Sequence, residues 1–538
     1  MHTLPVLALT LLIACALWHE PAQASDDDWT ANWAIPPGYS LEVDSSGYTL
    51  PVSIAMVPNP GSEPTDPAYF VAELGGRILA VRNDRKIDVF AERFFELNMT
   101  AQMPELSGVL GMTGLCLDSD TGYLFATYVY DSPKGRYNGI TRFSTKAKTF
   151  ALKPSKQLHI RKPFQLGDSS FTRFPFGHQI GQCQIIDDTL FVGIGDGELT
   201  HRPRSDQSSF GKIIRMRFDG SPVSGQSMAS ATLADYIYAS GLRNPFGQTS
   251  VGGNIVVADN GPGIDRVLHV REGRDYLYDG SDDSIATNAM VIYAPAKGTA
   301  HTEFYPASLN GNLPQLSDNL LVVLSGVPEV YVEEEPPEIS IFKLEPDTLH
   351  VSSRPKSLVR YIGKQLQVLS SVAIAKDGIY FAPVYSENAT AGPSNLYKLS
   401  PANKNSYPNL IGQYRNPRAI LRDNGCRGCH KIKGDGGNIG PTLNPDEIRQ
   451  RHLARVNTPE YERFLNDLNV PNTPKSLMQA RKRILSVTGE KRLTFWLQEK
   501  ILDPTVDNDH SIMPQLNLSK NEAKAVTRFL LKNKKKSP

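Results

Sequence analysis

Between about residues 33 and 400, apolar positions come in short runs separated by clusters of Gly, Pro, Asn and Asp. Strand-length runs bounded by turn-forming residues are typical of an all-β domain. The clearest runs are 69–72, 123–128, 190–194, 254–258, 320–324 and 379–382. They recur at intervals of roughly 50 to 70 residues, and repetition on this scale favours a β-propeller over a sandwich. We therefore predict a propeller over residues 30–402, although the runs alone do not give the number of blades.

The pattern changes after Pro401, where helix-forming and charged residues replace the β-rich runs. Three segments have the composition or the apolar spacing of helices: 414–424, 445–465 and 491–501. Ser519 followed three residues later by Glu522 has the spacing of a capping box and opens a last amphipathic segment. The sequence therefore predicts an all-α domain over residues 413–538.

The N-terminus has the features of an export signal. An apolar run from Leu4 to Leu17 precedes Ala22-Gln23-Ala24, the pattern of an A-X-A cleavage site. The run is too short for a comfortable membrane span. We predict a signal peptide at residues 1–24 and a periplasmic protein. The alternative is lipid attachment at Cys15, because Leu-Ile-Ala-Cys resembles a bacterial lipobox.

Charge excludes one class of partner. The chain carries 57 basic and 56 acidic residues, a net charge of +1, so there is no global electrostatic case for binding nucleic acid. No segment after the N-terminal run is apolar enough to span a membrane. Cys116 and Cys183 lie outside the recognisable motifs, and in an oxidising compartment they either pair or remain two buried thiols.

The most specific motif is Cys426-Arg427-Gly428-Cys429-His430. Two cysteines separated by two residues and followed at once by histidine form the attachment signature of c-type haem. Cys426 and Cys429 would form thioethers with the haem vinyl groups, and His430 would be the proximal iron ligand. The alternatives are a chance match and a zinc or redox Cys-X-X-Cys.

Two further features of this region resemble class I cytochrome c domains over about residues 413–538. Gly440-Pro441 follows the histidine at the distance of the loop that backs the proximal ligand, and Met513-Pro514 precedes the last helical segment. The resemblance implies that Met513 is the second axial ligand, although a methionine there is otherwise an ordinary core residue. Weaker candidate ligands are His452 and His510.

Three glycine-rich polar patches stand out in the β-rich part: 176–181 with 195–197, then 240–248, then 258–265. Each lies at the end of a strand-like run, where side chains and backbone can converge on a ligand. Any one of them alone is most simply a glycine-rich turn.

Together and in this order, the patches resemble the glucose/sorbosone dehydrogenase family, six-bladed propellers that use pyrroloquinoline quinone (PQQ). The resemblance spans roughly residues 35–400. It implies that His178 is the general base, that Asp196 orients its imidazole, and that Arg243 lies beside the reactive carbonyl of the quinone.

The same resemblance implies the residues that bind cofactors. Asn244 and Asn260 would contact PQQ, and Gly261 and Pro262 would supply oxygen ligands to Ca²⁺, a hard cation that prefers oxygen. The partners of the PQQ carboxylates do not align, and the nearby candidates are Lys297, Arg360 and Lys364.

The sequence thus predicts an exported quinohaemoprotein. It would oxidise a sugar or a related alcohol or aldehyde with PQQ and Ca²⁺, and it would pass electrons through haem c to an external periplasmic acceptor. One alternative is a non-catalytic propeller that binds a ligand or partner beside an electron-transfer cytochrome. The other is a PQQ-independent redox sensor. A binding module has no need for a base, its orienting carboxylate and a cation together.

Overall fold

The computed structural model describes residues 29–96, 111–168, 177–326, 336–386, 393–402, 407–411, 417–434, 436–437, 439–471, 473–508, 511, 513, 516 and 518–532. The predicted signal peptide, with the alternative lipid site at Cys15, lies outside these residues and stays a prediction.

Six antiparallel sheets of four or five strands form a six-bladed β-propeller. Two N-terminal strands come first: β1 (Trp33–Ala34) and β2 (Tyr39–Tyr48). Blade one contains β3 (Pro51–Met56), β4 (Pro67–Glu73), β5 (Arg77–Arg82) and β6 (Ile87–Ala91). Blade two contains β7 (Gly111–Asp118), β8 (Tyr123–Ser132), β9 (Gly135–Ser144) and β10 (Lys156–Ile160). Blade three contains β11 (Ile180–Ile186), β12 (Thr189–Ile194), β13 (Lys212–Arg217) and β14 (Ile237–Ala239).

The remaining blades follow the same order. Blade four contains β15 (Pro245–Val251), β16 (Asn254–Asp259), β17 (Asp265–Val270) and β18 (Val291–Tyr293). Blade five contains β19 (Thr299–Tyr305), β20 (Asn319–Leu324), β21 (Glu338–Lys343) and β22 (Lys356–Tyr361). Blade six contains β23 (Leu369–Ala375), β24 (Gly378–Pro383) and β25 (Ser394–Pro401). The propeller predicted from the spaced apolar runs is confirmed.

The N-terminal strands close the ring. The outermost strand of blade six is β2, paired antiparallel with β25, and β1 pairs with β22 of blade five. The first strands of the blades neighbour one another around the axis, from β3 through β7, β11, β15 and β19 to β23, which returns to β3. Closure in this way leaves few exposed strand edges.

Each of the six apolar runs is the second strand of a blade, and β4, β20 and β24 are buried at every position. Such a strand is covered on both faces by neighbouring blades, so its sequence is a continuous apolar run instead of an alternating one. The outer strand β10 is mostly exposed and has no such run.

Glycines let neighbouring inner strands approach closely. A Cβ at Gly247 of β15 would lie 2.5 Å from the Cα of His301 on β19, and one at Gly181 of β11 would overlap the backbone of Phe246. Between blades two and three, Cys116 and Cys183 form a disulfide, with a Cα–Cα distance of 5.8 Å. Of the two alternatives for these cysteines, the structure has the pair.

The rest of the chain is helical. A short helix, α1 (Asp282–Ala286), lies within blade four. After the propeller come α2 (Pro417–Asp423), α3 (Cys426–Cys429), α4 (Pro445–Val456), α5 (Pro459–Asp467), α6 (Lys475–Leu485), α7 (Gly489–Leu502) and α8 (Lys520–Leu530). Among the described residues, none of the helices is both long enough and apolar enough to cross a membrane.

The helices pack around one apolar core. Its buried residues include Leu493 and Trp496 of α7 and Val526 of α8, and α8 also packs against α2. The predicted capping box is present: Ser519 accepts from the Glu522 amide, and the Glu522 carboxylate accepts from the Ser519 amide at 2.8 Å. The last helix therefore begins where the sequence predicts.

Candidate active site

His178 and Asp196 form a buried pair at the start of blade three. The Nδ1 atom of His178 lies 2.5 Å from Oδ1 of Asp196, and the side chains are only 8% and 2% exposed. The same carboxylate oxygen accepts the Glu198 amide at 2.9 Å. An ionised carboxylate can only accept, so Nδ1 carries a proton in this pair, and in the neutral imidazole the lone pair is then on Nε2.

The backbone around this pair is held in an uncommon conformation. His178 has a φ of +56°, which is rare for a residue other than glycine. Its carbonyl accepts the Gly197 amide at 3.2 Å. A Cβ at Gly195 would lie 2.5 Å from the Cβ of His178. Only glycine fits at 195, and strained positions of this kind cluster at functional sites.

Arg243, between β14 and β15, joins this pair to the next blade. Its carbonyl accepts the Asp196 amide at 2.6 Å, and its Nη1 donates to the Asn260 carbonyl at 3.1 Å. The Tyr278 side chain bonds to the guanidinium, and burial of that phenol raises the pKa of Tyr278 to about 12. The structure therefore brings the three sequence patches together at one place.

Asp259, the last residue of β16, is the scaffold beneath this arrangement. Its carboxylate accepts the amides of Arg243 at 3.1 Å and Asn244 at 2.7 Å, and it pairs with Arg266 at 2.8 Å. Both side chains of the Asp259–Arg266 pair are fully buried. The pair thus fixes the backbone on which Arg243 and Asn244 are mounted.

Replacing Asp259 by alanine is expected to lower the free energy of unfolding by about 3–5 kcal/mol, because it leaves a buried guanidinium without its counter-charge. Urea denaturation followed by circular dichroism measures the change. The control is Asp131→Ala, which removes the partially exposed Asp131–Arg136 pair and should cost about 0–1 kcal/mol. Equal effects of the two substitutions would contradict the scaffold role.

The candidate calcium loop, formed by Asn260, Gly261 and Pro262, comes directly after Asp259 in the chain. The Asn260 amide donates to the Asn244 carbonyl at 3.1 Å, and its Oδ1 accepts the Thr299 hydroxyl at 2.7 Å. Next in the loop, the Gly261 amide donates to Oδ1 of Asp265 at 3.1 Å. The two asparagines and the loop therefore lie side by side.

Asp265 braces this loop against the start of blade five. Its Oδ2 accepts the amides of Lys297 at 2.7 Å and Gly298 at 2.9 Å. Its carboxylate is therefore already used by backbone donors. Gly261 and Pro262 would hold a cation through carbonyl oxygens, which suits Ca²⁺.

The buried Oδ1 atom of Asn244 has no hydrogen-bond partner among the described residues. Leaving such an acceptor unsatisfied costs about 1–3 kcal/mol, and a natural site of this kind requires an explanation such as a bound group. A polar cofactor with donors, or a cation, would satisfy it. The donor set of Asn244, Asn260 and the loop carbonyls therefore fits PQQ with Ca²⁺.

Two of the three candidates for the PQQ carboxylates, Lys297 and Arg360, are engaged by another side chain. Lys297 lies 3.6 Å and Arg360 3.0 Å from the carboxylate of Glu338. Burial alone would raise the pKa of Glu338, but the charges of Lys297 and Arg360 outweigh it and lower the pKa to about 2. Arg360 is on β22, the fourth strand of blade five, and Lys364 lies just after that strand, whereas His178 and Arg243 precede inner strands.

The depressed pKa of Glu338 predicts acid sensitivity. The folded value of about 2 lies below the ordinary 4.5, so its stabilisation is complete above pH 4.5 and is lost as the pH falls toward 2. The largest contribution of this carboxylate to the free energy of unfolding is about 3 kcal/mol. Glu338→Gln is expected to be less stable at pH 7 and to flatten the stability profile across this window. Urea titrations from pH 7 to 2.5 measure the stability profile of each variant, and substitution of an exposed glutamate, Glu345→Gln, is the control. A Glu338→Gln profile identical to that of the wild type would contradict the prediction.

The predicted haem-attachment motif forms the turn α3. Cys426 and Cys429 are unpaired thiols, and burial raises the pKa of Cys426 to about 12. The Nδ1 atom of His430 lies 2.6 Å from the Pro441 carbonyl, and a Cβ at Gly440 would overlap the imidazole ring. The ring is thus fixed through Nδ1, an arrangement that would leave Nε2 available to a haem iron.

The second axial ligand is less constrained. Met513 is half-buried, whereas His510 lies outside the described residues, so the methionine ligand stays a prediction. His452 packs on Trp496 with ring centroids 4.4 Å apart. Burial lowers the pKa of His452 to about 4. Within the described residues, no three His, Cys, Asp or Glu side chains are grouped to hold a metal.

The haem-attachment turn packs on the propeller beside the candidate calcium loop. Gly425 has a φ of +62°, and a Cβ there would overlap the Ala294 carbonyl oxygen; one at Gly428 would lie 3.3 Å from it. Two residues on, the Ala296 amide donates to the Gly263 carbonyl at 2.8 Å. A single short segment of the propeller therefore contacts both the turn and the loop.

Sequence reasoning assigned no role to several residues that build this site. Asp259 and Asp265 lie within a quoted glycine-rich patch, but their backbone partners come from other strands. Glu198 follows the Gly-Asp-Gly patch, and a Cβ at Gly177 would overlap its carboxylate. Tyr278 lies in a segment with no motif at all. Proximity to a recognised patch would have flagged the first three, and nothing in the sequence points to Tyr278.

The chain was compared with curated protein sequences, solved structures and protein families. No curated protein sequence matches this chain. Solved structures with a similar chain path include an oxidoreductase described as a glucose dehydrogenase from Thermus thermophilus, at 18% identity and a TM-score of 0.48, covering 67% of this chain and 100% of that one. The PQQ-bound aldose sugar dehydrogenase from Streptomyces coelicolor has 17% identity and a TM-score of 0.47, with coverage of 68% and 99%. The apo-form of the soluble aldose sugar dehydrogenase from Escherichia coli has 12% identity and a TM-score of 0.48, with coverage of 68% and 100%.

The sequence of the propeller also matches a family model. The match begins at the first strand of blade one and ends at the start of blade five, so it includes all three patches of the site. Residues 50–298 thus carry the sequence pattern of the family described as Glucose / Sorbosone dehydrogenase.

Proposed function

We propose that this chain is an exported quinohaemoprotein that oxidises a sugar or a related alcohol or aldehyde. When bound, PQQ with Ca²⁺ would supply a two-electron oxidant and haem c a one-electron carrier. The periplasmic location rests on the signal-like segment at residues 1–24. An external one-electron acceptor is needed to reoxidise the haem.

The observation that carries the proposal is the buried His178–Asp196 pair beside Arg243. His178 accepts the proton of the substrate hydroxyl at Nε2, while Asp196 holds the ring orientation and stabilises the imidazolium that forms. Arg243 supplies a fixed positive charge in a buried setting, where it stabilises developing negative charge on oxygen more strongly than it would in water. A base, its orienting carboxylate and a cation are the groups that hydride removal from an alcohol requires.

The residues that would hold the cofactor favour the same reaction. The unsatisfied Oδ1 of Asn244 and the oxygen-rich loop at Asn260, Gly261 and Pro262 suit a polar quinone with a hard cation. The match of residues 50–298 to a sugar dehydrogenase family points to the same substrate class.

The haem part of the proposal rests on the attachment turn. The fixed ring of His430, backed by Gly440 and Pro441, has the arrangement that a proximal haem ligand needs. The contact of this turn with Ala294 keeps the acceptor beside the propeller, where tethering gives a high effective concentration.

A spectroscopic titration tests the proposal. The protein is expressed in a periplasm with haem-attachment machinery, oxidised, and mixed with PQQ, Ca²⁺ and a panel of aldoses and sugar alcohols. Reduction of the haem α-band that requires all three additions is the expected result. If no sugar reduces a haem that dithionite still reduces, and calorimetry detects no PQQ binding, a non-catalytic binding propeller replaces the proposal.

A further inference from the structure

A large cleft separates blade five from the helical region. Its volume is about 1540 Å³, above the roughly 300–1,000 Å³ of ordinary small-molecule sites. Arg354, Lys356 and Lys364 line the propeller wall, and Arg427 and Lys433 line the helical wall. The cleft is therefore large enough for part of another macromolecule and is basic on both sides.

The carboxylates that line this cleft are already bound to other groups of the protein. Its described lining contains eight Lys or Arg residues and two carboxylates, those of Glu338 and Glu522. Glu338 is paired with Lys297 and Arg360, and Glu522 caps α8 through Ser519. Because the whole chain has a net charge of only +1, the described lining of the cleft is a local concentration of positive charge.

Two large apolar side chains are exposed in the same cleft. Ile292 is 44% and Leu366 46% exposed, and both line it. Exposed apolar side chains among polar and charged ones are typical of protein interfaces. Nucleic acid is contacted mainly through phosphates and base edges, and it would leave these aliphatic side chains without a matching partner.

We propose that this basic cleft is a docking surface for an acidic protein. Carboxylates of the partner pair with Lys356, Lys364 and Lys433, and an apolar side chain of the partner covers Ile292 and Leu366. Attraction between opposite charges speeds encounter and selects against basic partners. The proposal does not depend on the oxidation chemistry. The cleft adjoins the haem-attachment turn through Gly425 and Arg427, which is where a partner exchanging electrons with a haem would dock.

Binding of a fluorescein-labelled peptide of alternating Glu pairs and single Leu residues tests the surface. Fluorescence anisotropy with the full-length holoprotein is expected to show saturable binding that weakens as salt rises from about 20 to about 200 mM. The double substitution Lys356→Glu with Lys364→Glu should weaken it by on the order of tenfold. The matched control, Lys134→Glu with Lys153→Glu, reverses the same number of exposed charges in blade two and should change it by less than about twofold. Thermal melting verifies that both variants fold.

Three outcomes would overturn the proposal. Equal weakening by the two double substitutions would mean that attraction is spread over the whole surface. If an oligothymidylate binds as tightly as the peptide, and if the same lysine substitutions abolish its binding, the cleft is a nucleic-acid site. Tighter peptide binding after Glu333, Glu334 and Glu335 are all changed to Gln would make this acidic run of the chain, and not a partner protein, the occupant of the cleft.

Discussion

Replacing His178 by alanine is expected to lower the turnover of PQQ- and Ca²⁺-dependent sugar oxidation by about 10²–10⁴-fold, the usual contribution of a general base. The imidazole is the group whose lone pair accepts the substrate proton, and alanine leaves only water to do so. Asp196→Asn should fall between the wild type and His178→Ala, because the amide keeps the packing but does not stabilise an imidazolium. Dye reduction by a panel of aldoses measures turnover without involving the haem.

The control for this prediction is His350→Ala, which removes an exposed histidine of blade five and should leave turnover unchanged. Calorimetric titration with PQQ separates catalysis from cofactor binding: His178→Ala should bind PQQ nearly as well as the wild type, since the binding contacts are assigned to Asn244 and Asn260. If His178→Ala keeps more than half of the turnover, another group must remove the proton. If it loses PQQ binding as well, His178 is part of the cofactor cradle.

The sequence predicts the fold well because propeller blades bury their second strands on both faces. Runs such as 190–194 and 320–324 are visible as continuous apolar segments for that reason alone. Outer strands such as β10 carry no such signal, since one face meets solvent. The blade number was predicted from the family resemblance, because the repeat is too degenerate in sequence for the blades to be counted.

Only those residues of the candidate site that lie in a recognisable sequence motif were predicted. His178, Asp196 and Arg243 were identified by resemblance, and the structure adds the hydrogen bond between the Asp196 amide and the Arg243 carbonyl that joins their blades. The partners of Asp259 depend on how strands register across a blade, which no local pattern encodes. The pairing of Arg360 with Glu338 is of the same kind: the sequence offered Arg360 as a candidate for the PQQ carboxylates and gave Glu338 no role, whereas the structure pairs the two at 3.0 Å.

Changing Cys426 and Cys429 together to serine is expected to abolish covalent haem. Both thioether positions lie in the turn α3, and the described part of the chain contains no other unpaired cysteine. The measurement is haem stain on a denaturing gel, since only covalently attached haem stays with the unfolded polypeptide. The double substitution of Cys116 and Cys183 is the matched control: it removes a disulfide and should lower stability by about 2–5 kcal/mol but keep the haem.

The ring of His430 allows a finer test of the same turn. Gly440→Ala places a methyl group where the imidazole lies, so the haem should stay attached while its absorption spectrum and midpoint potential change with the displaced ligand. Gly75→Ala, where no atom lies within 4 Å of the new Cβ, should alter neither. Met513→Leu should lower the potential further than Met478→Leu, because a thioether ligand raises it. A wild-type protein with no denaturation-resistant haem, and with zinc released on acidification, would make the turn a metal-binding Cys-X-X-Cys and remove the electron carrier from the proposed function.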